Sequence, residues 1–389
     1  MEVQSQPCDN ELTEQYKMHE HGEHIYELPD TYIGSIETTE ENLWILDENN
    51  KMIKEDIQYI PGLYKIFDEI AVNALDHSQR LNIKYKEECN TTGKSNINLV
   101  KNIKIDVDIE NNQITVFNDG DGIDIAVHPE HKIYIPSMIF GELLTSTNYN
   151  KNEKKITGGK NGYGAKLTNI FSNEFTIETI DYKRKKKFVQ QYENNMKIKK
   201  DPFICEDKSK PYTIISFKPD LKRFGIEKLE EGILKLIKKR TFDIAACTDK
   251  SVNVFFNGEK IEYKNFEQYV DLYIGTKQDQ SRAFEVVNER WEIGATVSSD
   301  NQFEQVSFVN GVCTTKGGKH VEHVTNNIIK KLAEYIQKKK KVNISKTSYI
   351  KDNLFIFVKS IIENPSFDSQ LKENLTSSYN KFGSKCDNI

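Results

Sequence analysis

The chain has 389 residues, of which 37% are hydrophobic and 29% are charged, and its formal net charge is −5. At about 150 residues per domain, this length predicts about two globular domains with cores of their own. The acidic balance disfavours a protein that coats nucleic acid without specificity, and the lack of an apolar run of about 20 residues disfavours a membrane-spanning protein.

Two further features of the sequence narrow the class of protein. The six cysteines are scattered and form no C-x-x-C pair, so we expect reduced thiols rather than a disulfide framework or a zinc site. The first residues lack the basic-then-apolar order of a signal peptide. An intracellular protein is therefore the expectation.

The first strong pattern predicts an amphipathic helix from Leu63 to Arg80. Its apolar residues recur at helical spacing after the start signal Pro61-Gly62. Residues three and four apart share a helix face, so the polar side chains beside the buried stripe form one band. The members of this band, which can line a cleft, are Glu69, Asn73, Asp76 and Arg80.

A β-hairpin is predicted next. Apolar residues alternate from Ile103 to Ile109 and recur from Ile114 to Phe117, on either side of an Asn-Asn turn. The second strand ends in the turn N-D-G-D-G-I of residues 118–123. There, Asp119 can accept a hydrogen bond from an adenine amino group, and the glycines leave room for a base. The same pattern is more often only a turn.

The segment G-G-K-N-G-Y-G-A-K, residues 158–166, is the most informative feature of the chain. Its glycines and lysines can wrap backbone N–H groups around phosphates. The polar stretch 145–159 before it lacks periodicity and is interpreted as a lid. Together with the helix band and the acidic turn, this loop indicates a nucleotide site without a P-loop.

The residue types in this arrangement suit hydrolysis of a phosphoanhydride, which needs a base, a divalent cation and donors aimed at the γ-phosphate. Glu69 can act as the base, and Asn73, on the same face, can ligate Mg²⁺ through its amide oxygen. Each residue alone is more often simply solvated. The combination of three motifs favours the site.

The rest of the chain predicts a second domain, which we expect to begin near Thr248. A helix from Ile226 to Ala246 precedes β-rich sequence with an Asn257-Gly258 hairpin turn, and strands at 291–297 and 305–309 and a helix at 321–340 follow. The run Lys338 to Lys341 either contacts phosphate or is a solvated helix end. Five histidines show no metal-ligand pattern and are interpreted as structural: His77, His128, His131, His320 and His323.

Four segments resemble the eukaryotic-type DNA topoisomerase II family, and the resemblance covers nearly the whole chain. They are PDTYIGSIE (29–37), PGLYKIFDEIAVNALDHSQR (61–80), IFGELLTSTNYNKNEKKITGGKNGYGAKLTNIFS (139–172) and SFVNGVCTTKGGKHV (307–321). The resemblance implies an α+β chain with an N-terminal arm at 1–28, a Bergerat-type (GHKL) α/β sandwich ATPase domain at 29–247 and a ribosomal-protein-type α+β transducer domain at 248–389. It implies ATP and Mg²⁺ as cofactors, and it does not imply the complete enzyme.

The resemblance also implies site residues. It makes Glu69 the general base and Asn73 the Mg²⁺ ligand. It places further residues around the nucleotide, namely Asn118, Ser146, Thr147, Asn148 and the phosphate loop Gly159, Lys160, Asn161, Gly162, Tyr163, Gly164, Ala165 and Lys166.

Three positions outside that set follow from the same resemblance. The family's Gln-Thr-Lys motif reads Gln370-Leu371-Lys372 here, and Lys372 is expected to sense the γ-phosphate. Without the resemblance, this run would be interpreted as an exposed helix start. Tyr16 matches an arm tyrosine that crosses to the partner subunit's nucleotide. Leu28 and Lys160 stand where arginine is usual or common, and lysine keeps the charge but loses the planar fork.

The resulting hypothesis is an ATP-operated clamp. Two copies close into a homodimer around double-stranded DNA when ATP binds, and strand passage needs the cleavage-domain regions of a full-length enzyme, for which this chain has no room. The alternatives are a nucleotide-gated binding module with little hydrolysis, a histidine kinase or chaperone, and, least favoured, a DNA-only structural module. The expected location is the nucleus in a cell, or a replication compartment or virion for a large DNA virus.

Overall fold

The structure is a computed structural model that describes residues 20–143, 145, 156–159, 162–263, 265–341 and 347–386. Its helices are α1 (His21–Glu27), α2 (Pro61–Thr92), α3 (Ile135–Gly141), α4 (Gly164–Ile170), α5 (Glu231–Cys247), α6 (Phe266–Ile274), α7 (Lys319–Lys340) and α8 (Ser348–Lys351). Within these ranges, no helix combines the length and apolar character needed to cross a bilayer.

The strands form three sheets. They are β1 (Thr39–Leu46), β2 (Met52–Tyr59), β3 (Asn102–Asp108), β4 (Gln113–Asp119), β5 (Ser172–Asp181), β6 (Lys186–Glu193), β7 (Ile198–Lys199), β8 (Phe203–Glu206), β9 (Tyr212–Pro219), β10 (Asn253–Phe256), β11 (Glu259–Lys260), β12 (Arg282–Asn288), β13 (Trp291–Val297), β14 (Glu304–Val309), β15 (Val312–Cys313) and β16 (Leu354–Ser360). The α+β class predicted from the sequence is confirmed.

A nine-stranded sheet forms one layer of the N-terminal half. Its order is β11-β10-β3-β4-β9-β5-β6-β7, and β8 also pairs with β6. Helices α2, α4 and α5 pack together and against this sheet, and their apolar faces share one core with its buried side chains. An α/β sandwich results, because each layer buries its apolar face against the other.

Helix α2 is longer than the pattern predicts. The helix continues beyond Arg80 to Thr92, because no glycine or proline interrupts it before Gly93. Gly93 has φ 74° and ends the helix in the left-handed conformation, which glycine adopts without steric cost. The extension is mostly exposed from residue 84 onward, whereas the turns that carry Glu69 are buried. Glu69 therefore lies on the buried part of the helix.

The predicted hairpin of β3 and β4 is present, with Val107 opposite Ile114. The sequence near Thr248 was predicted to open a second domain with strands of its own. Strand β10 instead pairs in parallel with β3 and extends the first sheet. The Asn257-Gly258 turn connects β10 to β11 as expected. A parallel partner far away in the chain leaves no local signal in the sequence.

The C-terminal half is built on a five-stranded sheet of order β12-β13-β16-β14-β15. Helix α7 packs on β16, and the core between them includes Val324, Ile356 and Trp291. Strands β14 and β16 run in parallel, with Val306 opposite Phe357.

Several contacts join the halves, and two of them lie at the β1–β2 hairpin and at the turn between β14 and β15. In the hairpin of β1 and β2, Trp44 stacks on Phe355 of β16 at a centroid distance of 5.9 Å. The turn between β14 and β15 inserts between α2 and α5, so that a Cβ on Gly311 would lie 2.0 Å from Leu75 Cδ2. Only glycine fits there, and the turn is thereby brought next to the helix that carries Glu69.

Candidate active site

A cavity of about 290 Å³ lies between α2, the end of β4 and the loop before α4. Its apolar walls include Ile123, Ile139 and Ile215, and its polar groups converge from both halves of the chain. It brings together eleven of the residues that the sequence analysis singles out: Glu69, Asn73, Asn118, Gly159, Gly162, Tyr163, Gly164, Ala165, Lys166, Gln370 and Lys372. An apolar cleft with few convergent polar groups is typical of a small-molecule site.

The other predicted positions divide into two groups. Tyr16, Ser146, Thr147, Asn148, Lys160 and Asn161 lie outside the described residues. Asp119 is described and does not line the cavity.

The carboxylate of Asp119 is engaged on another face of β4. Its Oδ1 accepts from the backbone N–H groups of Lys101 at 2.6 Å and Asn102 at 2.8 Å. Successive strand residues point to opposite faces, so Asn118 rather than Asp119 lines the cavity. The Asn118 Nδ2 donates to the Asp119 carbonyl at 2.9 Å, which leaves Oδ1 as its acceptor. Of these two residues, only Asn118 is therefore in a position to contact a ligand in the cavity.

Glu69 lies at the centre of a buried cluster of charges. Its Oε1 is 2.7 Å from Lys65 Nζ and 3.3 Å from Lys372 Nζ, and its side chain is only 5% exposed. Burial favours the neutral acid, but the two ammonium groups outweigh it and lower the pKa of the Glu69 carboxyl to about 2. At neutral pH Glu69 is therefore a carboxylate, the form that accepts a proton.

Lys65 was missed in the sequence analysis, although its position four residues before Glu69 places both on one helix face. We expect Lys65→Met to raise the pKa of Glu69 and to move the acid limb of kcat/KM for ATP hydrolysis to higher pH, because kcat/KM reports the free enzyme's base. The pH profile of hydrolysis between pH 4 and 8 measures this shift.

The wild-type profile is expected to show no limb from Glu69 in that range, because its pKa of about 2 lies below it. The matched control is Lys86→Met, which removes an exposed lysine from the same helix. An unchanged profile in Lys65→Met would contradict the assignment of Lys65 as the partner that keeps the base ionised.

Asp76 of α2 holds the first two glycines of the glycine-rich segment 158–166. Its two carboxylate oxygens accept from the backbone N–H groups of Gly158 and Gly159, each at 2.8 Å. Burial raises the pKa of the Asp76 carboxyl, and these hydrogen bonds oppose the rise. A Cβ on Gly164 would lie 2.1 Å from Glu69 Oε2, so the close approach of the loop to this buried carboxylate favours a glycine.

The side chain of Lys166 is buried beneath the loop and binds its backbone. Its Nζ donates to the carbonyl oxygens of Thr145 and Gly162, each at 2.7 Å. Burial lowers the pKa of the Lys166 ammonium to about 8, so most of it remains charged at neutral pH. The loop thus carries a buried cation that is held by two backbone carbonyl oxygens.

Lys372 reaches the cavity from a loop of the C-terminal half, and its backbone has φ 63°. Such a conformation is uncommon in a residue other than glycine and is seen where the surroundings enforce it. Leu371, which replaces the threonine expected from the family, packs against Gly34 with its Cδ2 3.3 Å from an ideal Cβ there. The replacement therefore fixes the loop on the N-terminal half and leaves Lys372 beside Glu69.

The C-terminal end of this loop is hydrogen-bonded to the start of α7. Leu375 N donates to the Gly317 carbonyl at 3.1 Å, and Lys319 N donates to the Leu375 carbonyl at 2.9 Å. Gly318 has φ 131°, and a Cβ there would lie 2.4 Å from Leu375 N. The alternative interpretation of Gln370 and Lys372 as a helix start is wrong, because this stretch forms no helix.

The donors available for a metal fit Mg²⁺ held mainly by the nucleotide. Asn73 faces the cavity, where its Oδ1 lies 4.0 Å from an ideal Cβ on Gly159. No cluster of three or more His, Cys, Asp or Glu side chains suited to a metal occurs among the described residues. A single protein ligand, the amide oxygen of Asn73, suits Mg²⁺, because this ion usually keeps several waters and takes other ligands from the phosphates of its substrate.

Comparison with known proteins agrees with this geometry. Residues 59–223 match the family model "Histidine kinase-, DNA gyrase B-, and HSP90-like ATPase", and residues 261–388 match the model "DNA gyrase B". DNA topoisomerase 2 of Drosophila melanogaster is 47% identical over 96% of this chain and 25% of its own length. DNA topoisomerase 2 of Acanthamoeba polyphaga mimivirus is also 47% identical, over 96% of this chain and 29% of its own length.

Among solved structures, the ATPase region of Saccharomyces cerevisiae topoisomerase II matches with a TM-score of 0.85 and 44% identity. That match covers 97% of this chain and 93% of the other. The chain spans about a quarter of the length of the curated relatives it matches. Both halves match in order, and the cavity is lined by those residues implied by the resemblance that the structure describes. The chain belongs to the eukaryotic-type DNA topoisomerase II family and corresponds to its ATPase region.

Proposed function

We propose that the chain binds and hydrolyses ATP, and that ATP binding joins two copies into a clamp, the N-gate, which captures double-stranded DNA. Hydrolysis then reopens the clamp, and the cleavage-domain regions of a full-length enzyme carry out the strand passage that alters DNA topology. The observation that carries the proposal is the contact between Glu69 of α2 and Lys372 of the C-terminal half, at 3.3 Å. The catalytic base and a cation of the other half meet in one cavity.

The charges around Glu69 suggest how nucleotide starts the reaction. The γ-phosphate draws the Lys372 ammonium away from Glu69, while Lys65 stays on the same helix and keeps the carboxyl ionised. Glu69 then orients a water and accepts its proton, and Lys372 offsets the charge that develops on the phosphate. Because Lys372 belongs to the C-terminal half, its transfer couples the state of the nucleotide to the position of that half.

Asn73 would hold Mg²⁺, which supplies charge compensation at the phosphates when bound. We expect Asn73→Ala to raise the Mg²⁺ concentration needed for half-maximal hydrolysis by about 10-fold or more, the scale of losing one hydrogen-bonding ligand or its support. Titration of the hydrolysis rate with Mg²⁺ measures it, and chelation by EDTA is expected to stop turnover. The matched control is Asn90→Ala, which changes an exposed asparagine of the same helix. An unchanged Mg²⁺ requirement in Asn73→Ala would contradict the role of Asn73.

The arrangement of domains and partners belongs to the same proposal. The arm comprises residues 1–28, and Tyr16 crosses to the partner subunit's nucleotide. We place the boundary between ATPase domain and transducer after β11, near residue 261, because β10 and β11 belong to the first sheet. The exposed lysines at the end of α7, Lys338 to Lys341, support contact with DNA phosphates. The nucleus, or a viral replication compartment or virion, is the proposed location.

The test of the proposal is hydrolysis of ATP by the purified chain with Mg²⁺, together with calorimetric binding of a non-hydrolysable ATP analogue. Hydrolysis of ATP that is lost when Glu69 is substituted would support the proposed ATPase activity. Binding of the analogue without any turnover would reduce the function to a nucleotide-gated binding module. A chain that binds no analogue would overturn the proposal as a whole.

A further inference from the structure

The turn between β14 and β15, Asn310 and Gly311, is followed by Val312, the first residue of β15. These three residues belong to the C-terminal half and do not line the nucleotide cavity. They nevertheless lie against the residues that lead into the glycine-rich loop. A Cβ on Gly158 would lie 2.6 Å from Val312 Cγ2 and 3.5 Å from the Asn310 carbonyl oxygen. Asn310 Nδ2 also donates to the carbonyl of Thr157, a cavity residue, at 3.4 Å.

The Asn310 side chain, which is fully buried, fixes this turn to the C-terminal sheet. Its Nδ2 donates to the Ile362 carbonyl at 3.0 Å, and its Oδ1 accepts from the Ile362 N–H at 2.8 Å. The Asn310 backbone N–H donates to the carbonyl of Ser360, the last residue of β16, at 2.9 Å. An amide nitrogen has two N–H groups, so one of them remains for Thr157. The turn is therefore expected to follow the C-terminal sheet when that sheet moves.

Helix α2 of the N-terminal half holds the same glycine. Asp76 accepts from the N–H groups of Gly158 and Gly159, and a Cβ on Gly158 would lie 3.1 Å from Val72 Cγ1. Gly158 is thus enclosed by groups of both halves, without space for a methyl group. Close-packed contacts transmit small displacements, because neither side can move alone without a clash or a gap. A displacement of the C-terminal half relative to α2 therefore acts on the start of the loop.

We propose that the turn between β14 and β15 is a second coupling element, besides Lys372, between the C-terminal half and the nucleotide. Asn310 and Val312 position Thr157 and Gly158, and thereby set the place from which the loop presents its backbone N–H groups to phosphate. The two elements act on different groups, because Lys372 acts at the γ-phosphate and the turn acts on the loop. Asn310 and Val312 are positioning residues, since neither lines the cavity. This inference rests on the proposed binding of ATP.

The test changes both sides of the contact. Gly158 does not have a positive φ, so alanine suits its backbone and adds only a methyl group directed at Val312. We expect Gly158→Ala to weaken the binding of a non-hydrolysable ATP analogue about 10-fold, the effect of one lost hydrogen bond to phosphate. Val312→Ala removes the Cγ2 that this methyl group meets. The double variant Gly158→Ala/Val312→Ala should therefore bind within about 3-fold of wild type in calorimetry.

The control is Val306→Ala, which shortens another buried valine of the C-terminal sheet, opposite Phe357. Combined with Gly158→Ala, it should leave the binding weak. Recovery with Val312→Ala alone would be compensation across the two halves, which a merely structural role of Val312 does not produce. Wild-type affinity in Gly158→Ala, no recovery with Val312→Ala, or equal recovery with Val306→Ala would overturn the coupling while ATP binding stands. Failure of wild type to bind the analogue would overturn the proposed function itself.

A second measurement decides the question if thermal melting shows that the double variant does not fold. Asn310→Gly keeps the left-handed backbone, φ 52°, and removes the amide that holds Thr157. Hydrogen exchange of the Gly158 and Gly159 amides should become about 10-fold faster, the effect of one lost hydrogen bond. Asn301→Gly, at an exposed asparagine of the same half that also has φ 52°, should leave it unchanged. Unchanged exchange in Asn310→Gly would overturn the coupling.

Discussion

Glu69→Gln is expected to slow single-turnover hydrolysis of ATP by about 10²–10⁴-fold, the usual contribution of a general base. The amide is nearly the same size as the carboxylate but cannot accept a proton from water. Binding of ATP should be unchanged or tighter, because the substitution removes a negative charge from beside the phosphates and leaves Lys65 and Lys372 in place. Quenched-flow hydrolysis and analogue binding, measured on the same samples, separate the two effects.

The control for this prediction is Glu87→Gln, an exposed glutamate on the same helix, which should leave hydrolysis unchanged. Equal turnover above background in wild type and Glu69→Gln would show that Glu69 is not the base. Background turnover in both would favour the binding module without hydrolysis over the ATPase. Loss of binding in Glu69→Gln would point instead to damage to the phosphate loop, which passes Glu69 at Gly164.

Arg240→Met is expected to lower the free energy of unfolding by about 3–5 kcal/mol, the effect of removing one partner of a buried ion pair. The Arg240 side chain is fully buried, with Nε 2.6 Å from Asp68 Oδ1. Its Nη2 also donates to the carbonyl of Gly311 at 2.9 Å, in the turn that joins the two halves. The variant leaves Asp68 and that carbonyl without their partner. Urea unfolding, followed by circular dichroism, measures the change.

The double variant Asp68→Leu/Arg240→Met distinguishes loss of the charge pair from loss of packing. Replacing both charges by apolar side chains is often neutral or better, so the double variant should recover most of the stability. Glu55→Ala is the matched control, because the pair of Glu55 with Lys235 also joins α5 to a neighbouring element, strand β2, at 2.6 Å but is 30–40% exposed. That change should cost less than about 1 kcal/mol. A double variant no better than Arg240→Met would contradict this explanation.

Local patterns in the sequence predicted the elements that position the site. Helical spacing placed Glu69 and Asn73 on one edge of α2, alternation predicted the β3–β4 hairpin, and the glycine-rich run predicted the loop that meets Glu69. These features depend on neighbours within a few residues, which is why a single sequence contains them. The role of Lys372 came from the family resemblance, since its own neighbourhood indicated only a helix start.

What the sequence could not show depends on residues far apart in the chain. Because β10 pairs in parallel with β3, strands β10 and β11 belong to the first sheet. Strand alternation predicts that Asn118 and Asp119 point to opposite faces of β4. It does not predict which of the two faces lines the cavity. The contact of His77 with Asp121 joins residues 44 positions apart and gives the ring a defined tautomer. Register and tertiary contacts of this kind are set by packing rather than by local propensity.

In the proposed clamp, nucleotide binding and dimerisation are one linked event. Light scattering of the purified chain, with Mg²⁺ and with or without a non-hydrolysable ATP analogue, tests it most directly. The clamp predicts the mass of one chain without the analogue and of two chains with it, and a weaker shift in Tyr16→Ala. A chain that binds the analogue by calorimetry and keeps the mass of a monomer would contradict ATP-driven closure.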